Sequence, residues 1–287
     1  IGSHPKPLAI SLYSELITNE VWANQRDRYG YLNVRPNALM YNLYGKPYID
    51  VRTDFNSFLP KNLPKNLKKK IINNRINYIS NNKNLHDKVE FEVIETCFNF
   101  NTKKNIFKYL NQKETNKYVA ELKTLTENII CQNFLKKEEK IINNIFKSIN
   151  NLKKKKLSHI QNVFFLVEIC KKDGILPFAG LARCAFIGTS LLNSLKALKI
   201  LSNKDVNYMY ESINTISKHI KVDSLDIWKN SNSKKKFLQK YGHLRPLTYS
   251  ISSKNYRENL KKYFQINLDR KRNEYKKFNL NRVKYKK

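Results

Sequence analysis

Two short segments of this chain set a cation beside a glycine in otherwise uncharged surroundings. One is Tyr241-Gly242-His243-Leu244-Arg245-Pro246, the other Phe178-Ala179-Gly180-Leu181-Ala182-Arg183. Gly242 admits backbone conformations that other residues resist. Pro246 stops a helix and biases Arg245 towards extended backbone. His243 and Arg245 are therefore expected to leave a helix end in fixed directions, as a binding wall or as a plain helix stop. Arg183 is the only charge between Gly174 and Lys196, in a run that is otherwise apolar. A guanidinium there must find a partner or a polar cavity, because a lone buried charge is costly. Its structural reading is an ion pair with Glu90, Glu92 or Glu168. Its functional reading is a contact to an anion or substrate. If Arg183, His243 and Arg245 converge on one cleft, they form a substrate-binding site for a carboxylate or phosphate, which arginine grips through paired hydrogen bonds.

Other chemical arrangements are weaker. Asp50, Arg52 and Asp54 alternate, so on a strand all three would share one face, and a salt-bridge row is expected of them. His86-Asp87 with Glu90, Glu92 and Glu95 is the densest acidic cluster, but without HxH or HxxxH spacing it predicts pairing with Lys and Arg rather than a metal site. The four cysteines, Cys97, Cys131, Cys170 and Cys184, contain no CxxC pair. No glycine-rich phosphate loop, GxSxG turn or GxGxxG is present, and no catalytic residue is assigned.

The elements that must position these residues read as mainly α, an irregular multi-helix assembly with a small N-terminal β-hairpin. Helical periodicity covers 8–29, ending at Gly30; 63–80; 115–148 as one helix or two; 157–172, closed by Gly174; 203–220, opened by a Ser202/Asp205 capping box; and 233–241. Residues 177–201 predict a core helix buried on most sides, with Pro177 in its first turn. Residues 38–53 predict a hairpin turning at Gly45-Lys46. Residues 87–99 are ambiguous and are read as helix. Asn-rich joints near 81–84, 150–156 and 229–236 predict loops, and 258–287 predicts a basic helix or tail. Three regions follow: 1–60, 61–257 and 258–287.

The chain has 287 residues, 41% hydrophobic and 12% aromatic, which excludes a disordered class. Lys and Arg number 55 against 23 Asp and Glu, a formal charge of +32. That charge would suit a nucleic acid. Yet the basic residues are spread along the whole chain, and Lys, Asn and Ile, all AT-rich in their codons, are abundant together. Genome composition is the preferred reading, with a basic helical nucleic-acid-binding protein as the rival. No uncharged run of about 18 residues occurs, so no membrane partner is expected and the cytoplasm is the default.

The YGHLRP block, followed by Thr248-Tyr249 and Ser252-Ser253-Lys254-Asn255-Tyr256, resembles the YGHLRPGTYD…SPRY segment of phosphoenolpyruvate synthase-like proteins. These are PEP-utilising, dikinase-type phosphotransferases, the rifampin phosphotransferases among them. FAGLAR, the opening IGSHPKPLAISLYSELI, YGKPYIDVR and LHDKVEFEV resemble further blocks, in order, from about residue 1 to about residue 257. Leu247 departs from the pattern, where the family has Gly. The resemblance implies a parent reaction in which ATP, with Mg, phosphorylates a mobile histidine that then phosphorylates pyruvate or another acceptor. It also implies two further domains, an ATP-grasp domain and a swivelling phosphohistidine domain, that this sequence does not contain. The chain is then expected to be a middle, acceptor-binding fragment, with no cofactor of its own and no activity alone.

Overall fold

The computed structural model describes residues 2, 4–245 and 250–264 of the chain. It is mostly helical with one two-stranded antiparallel hairpin, as the sequence predicts. By contact density the chain divides into two units, Ile10–Leu198 and the pair of segments Ile1–Ala9 and Lys199–Lys287.

The larger unit opens with α1 (Pro7–Tyr13, which begins in the smaller unit), a wide π turn at Ser14–Thr18, and α2 (Val21–Arg28). The single helix predicted over 8–29 is thus broken, and Gly30, at φ 96°, ends it. Strands β1 (Met40–Leu43) and β2 (Lys46–Ile49) pair with Met40 opposite Ile49. Their two-residue turn is Tyr44-Gly45, one residue before the predicted Gly45-Lys46, and it takes left-handed backbone at both positions (φ 53° and 76°), which matches the twist of the strands it joins. Asp50 lies beyond β2 and caps α3 (Val51–Asn56). Its carboxylate accepts from the Thr53 amide at 3.0 Å and the Thr53 hydroxyl at 2.8 Å. The expected salt-bridge row of Asp50, Arg52 and Asp54 on a strand is therefore overturned, because a good N-cap begins a helix there.

Helix α4 (Lys65–Asn81) follows Pro64, and residues 102–153 form α5 (Thr102–Ile106), α6 (Gln112–Cys131), α7 (Phe134–Asn143) and α8 (Ile145–Lys153). A left-handed Asn133 (φ 60°) separates α6 from α7, so the region read as one or two helices holds three. Helix α9 (His159–Ile169) is joined to α10 (Leu176–Ala197) by a π turn at Cys170–Ile175. Gly174 does not close a helix. The wide turn carries the backbone on into α10, whose Pro177 lacks an N–H for a regular ladder. The helical stretch His159–Ala197 is long and apolar enough to cross a membrane by length and composition, and 22% of its most apolar window is buried.

The main core joins Phe55, Phe58, Leu59, Ile71, Ile106, Tyr118 and Leu122. Helix α10 buries one stripe, Pro177, Gly180, Arg183, Ile187 and Ser194, rather than most of its sides. The prediction of an all-round core helix fails because only one stripe meets the neighbours, leaving large residues such as Phe178 exposed.

The smaller unit contains α11 (Asn203–Ser212), α12 (Ile216–Ser224), α13 (Ser231–Tyr241) and α14 (Leu260–Tyr263). The Ser202/Asp205 capping box is formed. Extended backbone at Ile213 splits the predicted 203–220 helix, and Asn230 caps α13 across part of the predicted 229–236 loop. Ile227, Phe237, Tyr241 and Leu260 form the core of this unit. Residues 246–249, with the Pro246-Leu247 turn, and most of the 258–287 tail lie outside the described residues.

Candidate functional site: a polar cleft in the larger unit

Residues 87–99 organise the site, and they do so by being helical only over Val89–Val93. After one π turn at Val89–Val93 the backbone extends at Ile94 (φ −124°, ψ 142°). Side chains from elsewhere satisfy its peptide groups. Arg75 on α4 donates to the Val93 carbonyl at 3.1 Å, and Tyr118 on α6 to the Glu95 carbonyl at 3.2 Å. Tyr31 donates to the Thr96 carbonyl at 2.6 Å, and the Phe98 amide donates to the Thr126 hydroxyl at 2.8 Å. A buried loop is tolerable only when its polar groups are paired in this way. The helical reading of this segment holds only over Val89–Val93 and fails beyond it, because tertiary partners replace the local ladder.

One side of this loop opens into a cleft of about 760 Å³, within the range of small-molecule sites. Helix α4 supplies Asn74, Arg75 and Tyr78. Residues 101–109 supply Asn105, Lys108 and Tyr109, and α10 supplies Ser190, Asn193 and Ser194. Asn99 Nδ2 donates to Ser190 Oγ at 2.9 Å and ties the loop to α10. The wall is rich in amides and hydroxyls, and its ionisable groups have both signs: Arg75 and Lys108 against Glu90, Glu92 and Glu95.

Arg75 is about nine-tenths buried (9% exposed), with its guanidinium 3.7 Å from the Tyr109 ring centre. One terminal nitrogen is taken by Val93 and the other by Asn74 at 2.8 Å, while Nε has no hydrogen-bond partner among the described residues. Burial pushes the Glu95 carboxyl above its ordinary value, against the pull of Arg75 and of the Tyr109 hydroxyl that donates to it at 2.8 Å. A carboxylate so placed is a better proton acceptor than a free one and suits a ligand hydroxyl.

Behind the cleft lies a buried charge cluster. Glu90 is 3.0 Å from Arg183 and 3.7 Å from Arg26. Arg26 is also 2.9 Å from Asp54 and bonded to the Ser57 hydroxyl. Both guanidinia lie over the Phe58 ring, 3.7 Å (Arg26) and 5.1 Å (Arg183) from its centre. Two arginines and two carboxylates balance there, so each buried charge has a counter-charge within reach. Glu90 lines the cleft and Arg183 does not, so Arg183 reaches it only through Glu90. The partner expected for Arg183 is thus found. Glu92 pairs with Lys88 at 3.6 Å, as expected of the acidic cluster, whereas Glu95 takes Tyr109 as its hydrogen-bond partner. No group of three metal-ligating side chains occurs among the described residues.

His243 and Arg245 belong to the smaller unit and Arg183 to the larger. His243 is exposed, and Arg245 Nε donates to the Ser253 carbonyl at 2.8 Å. The Gly242–Arg245 segment pairs with a second block, through Tyr256 N to Leu244 O at 3.0 Å and Arg257 N to Gly242 O at 3.1 Å. Gly242 is right-handed (φ −59°), not left-handed; its role is close approach, since a β-carbon there would collide with the Leu238 carbonyl.

Sequence reasoning missed Arg75. The signal was present: Leu67, Ile71 and Arg75 recur every four residues, so this arginine lies on the apolar stripe of a helix otherwise studded with lysines. No family model, curated protein or solved structure matches the chain.

Proposed function

We propose that this chain is the middle, acceptor-binding region of a phosphoenolpyruvate synthase-like phosphotransferase, and that the cleft of the larger unit holds the acceptor. One observation carries the second half of this reading. The cleft is lined by amides, hydroxyls and ionisable groups of both signs, Arg75 and Lys108 against Glu90, Glu92 and Glu95. Such a lining suits a neutral, hydroxyl-rich molecule better than a polyanion, because three carboxylates would repel phosphate as strongly as two cations attract it. A hydroxylated acceptor is therefore favoured over pyruvate. Glu95 would accept its reacting hydroxyl, and Arg183 would act as a positioning residue that holds Glu90. The phosphoryl donor is the histidine of the parent enzyme, loaded by ATP with Mg. His243 and Arg245 are assigned to the same reading by the YGHLRP resemblance, as acceptor or docking contacts in the smaller unit.

The test is calorimetric titration of the purified chain with a panel of monosaccharides and glycosides, pyruvate being the charged comparison. Binding of a hydroxylated member, abolished by Asn193→Trp, is expected. Asn193 is exposed on α10, so a bulky side chain there fills the cleft without entering the core. Failure of the whole panel, or binding that ignores Asn193→Trp, would remove the cleft from the reading. Release of AMP from ATP by the chain alone would overturn the reading of the chain as a non-catalytic middle region.

A further inference from the structure

The first turns of α9 are unusual for a helix of a water-soluble surface. Ile160 is 83% exposed, Val163 61% and Phe164 60%, and Phe165 and Leu166 are exposed as well. Ile160, Val163, Phe164 and Val167 recur at helical spacing on one side, so these side chains form a patch rather than scattered points. The patch has a rim of one sign. Lys153, Lys154, Lys155 and Lys156 immediately precede α9, all are exposed, and Lys155 Nζ lies 5.7 Å from the Phe165 ring centre. No carboxylate occurs between Lys140 and Glu168.

We propose that this face docks on an anionic lipid bilayer, α9 lying in the interface. The apolar side chains of α9 enter the boundary between headgroups and acyl chains, and the four lysines sit among the headgroup phosphates. The combination argues for lipid over a protein groove. Apolar anchors alone would suit either, but four adjacent lysines without a carboxylate complement a continuous sheet of negative charge. Lys155 beside Phe165 sets one ammonium against an exposed apolar ring of α9. This inference is independent of the cleft, which uses other residues.

The test is co-sedimentation of the full chain with vesicles of phosphatidylcholine alone and with about 30 mol% phosphatidylserine, at about 150 mM salt, where the Debye length is about 8 Å and bulk charge is screened. Binding to the anionic vesicles is expected. Ile160→Ser with Phe164→Ser should lower it by about tenfold or more, and Lys153–Lys156 changed together to Gln by about a hundredfold. Changing Lys234, Lys235 and Lys236 to Gln, in the smaller unit, should leave it within about twofold. All substituted residues are exposed, so unchanged thermal melts would show that each variant folds. The proposal is overturned if the chain ignores anionic vesicles, if the Ile160/Phe164 variant binds like the parent, or if the α13 control loses as much as the Lys153–Lys156 variant. It is equally overturned if the face proves to be a contact between copies: a dimer in solution, lost in the Ile160/Phe164 variant, with no binding to vesicles.

Discussion

Arg183 shows how one buried charge is accommodated. It is 4% exposed, and its carboxylate partner Glu90 is shared with Arg26. Removing the guanidinium with Arg183→Met leaves two carboxylates facing one arginine. Breaking a buried pair costs about 3–5 kcal/mol; since the Glu90 side chain is 26% exposed and partly hydrated, about 2–3 kcal/mol is expected in urea denaturation. Adding Glu90→Gln should recover at least half of that loss, and strictly additive effects would disprove the coupling. Glu138 is a different case. Its side chain is wholly buried, 3.0 Å from Arg28, and its Oε2 has no hydrogen-bond partner among the described residues. Burial holds its carboxyl above the ordinary value, against the pull of Arg28. The folded state therefore binds the proton more tightly than the unfolded state. That preference favours folding fully below the ordinary glutamate range and fades as pH rises through the folded value. Glu138→Gln should accordingly melt higher than the parent at neutral pH, with the difference shrinking as pH falls to about 4.5. A difference that grows on acidification would refute the assignment.

At the scale of the element, α10 is informative because its two interior glycines have opposite reasons to exist. A β-carbon at Gly180 would collide with the Tyr29 hydroxyl and lie 3.0 Å from Glu138 Cγ, so the helix approaches α2 and α7 closely at that point. At Gly188 nothing lies within 4 Å. Gly180→Ala should cost about 1–3 kcal/mol through overpacking. Tyr29→Phe in the same chain should restore part of it, because the nearest colliding atom is gone. Gly188→Ala should instead stabilise by about 0.5–1 kcal/mol, the helix-propensity difference alone. Thermal melts of the three variants check the contrast, and equal effects at the two glycines would contradict this packing.

For the whole molecule, the question is what a charge of +32 does. Lysines lie on the exposed faces of α4, α6, α8 and α13 alike, in both units, rather than on one stripe. Binding to duplex DNA should then be weak, independent of sequence and lost by about 200 mM salt. A filter-binding series over salt measures this directly. Tight, sequence-selective binding at physiological salt would restore the nucleic-acid reading over the phosphotransferase one.

Local pattern determined a good deal of this protein. The mainly helical class, a hairpin within 38–53, the Ser202/Asp205 cap and the need of Arg183 for a partner or a polar cavity all follow from neighbours a few residues apart, where periodicity, turn chemistry and desolvation act. Tertiary structure alone decided the rest. It showed which of three glutamates meets Arg183, and that Asp50 lies past the strand and caps a helix. It carried the backbone through Gly174 in a π turn instead of stopping there. Above all it made the 87–99 loop, whose peptide groups are satisfied by Tyr31, Arg75, Tyr118 and Thr126 from distant elements. No window around residue 90 contains those partners, and without them the segment reads as one more helix. The cleft is the consequence of that substitution, which is why its central cation, Arg75, was legible only as a residue on the apolar side of a basic helix until the fold brought it to a wall.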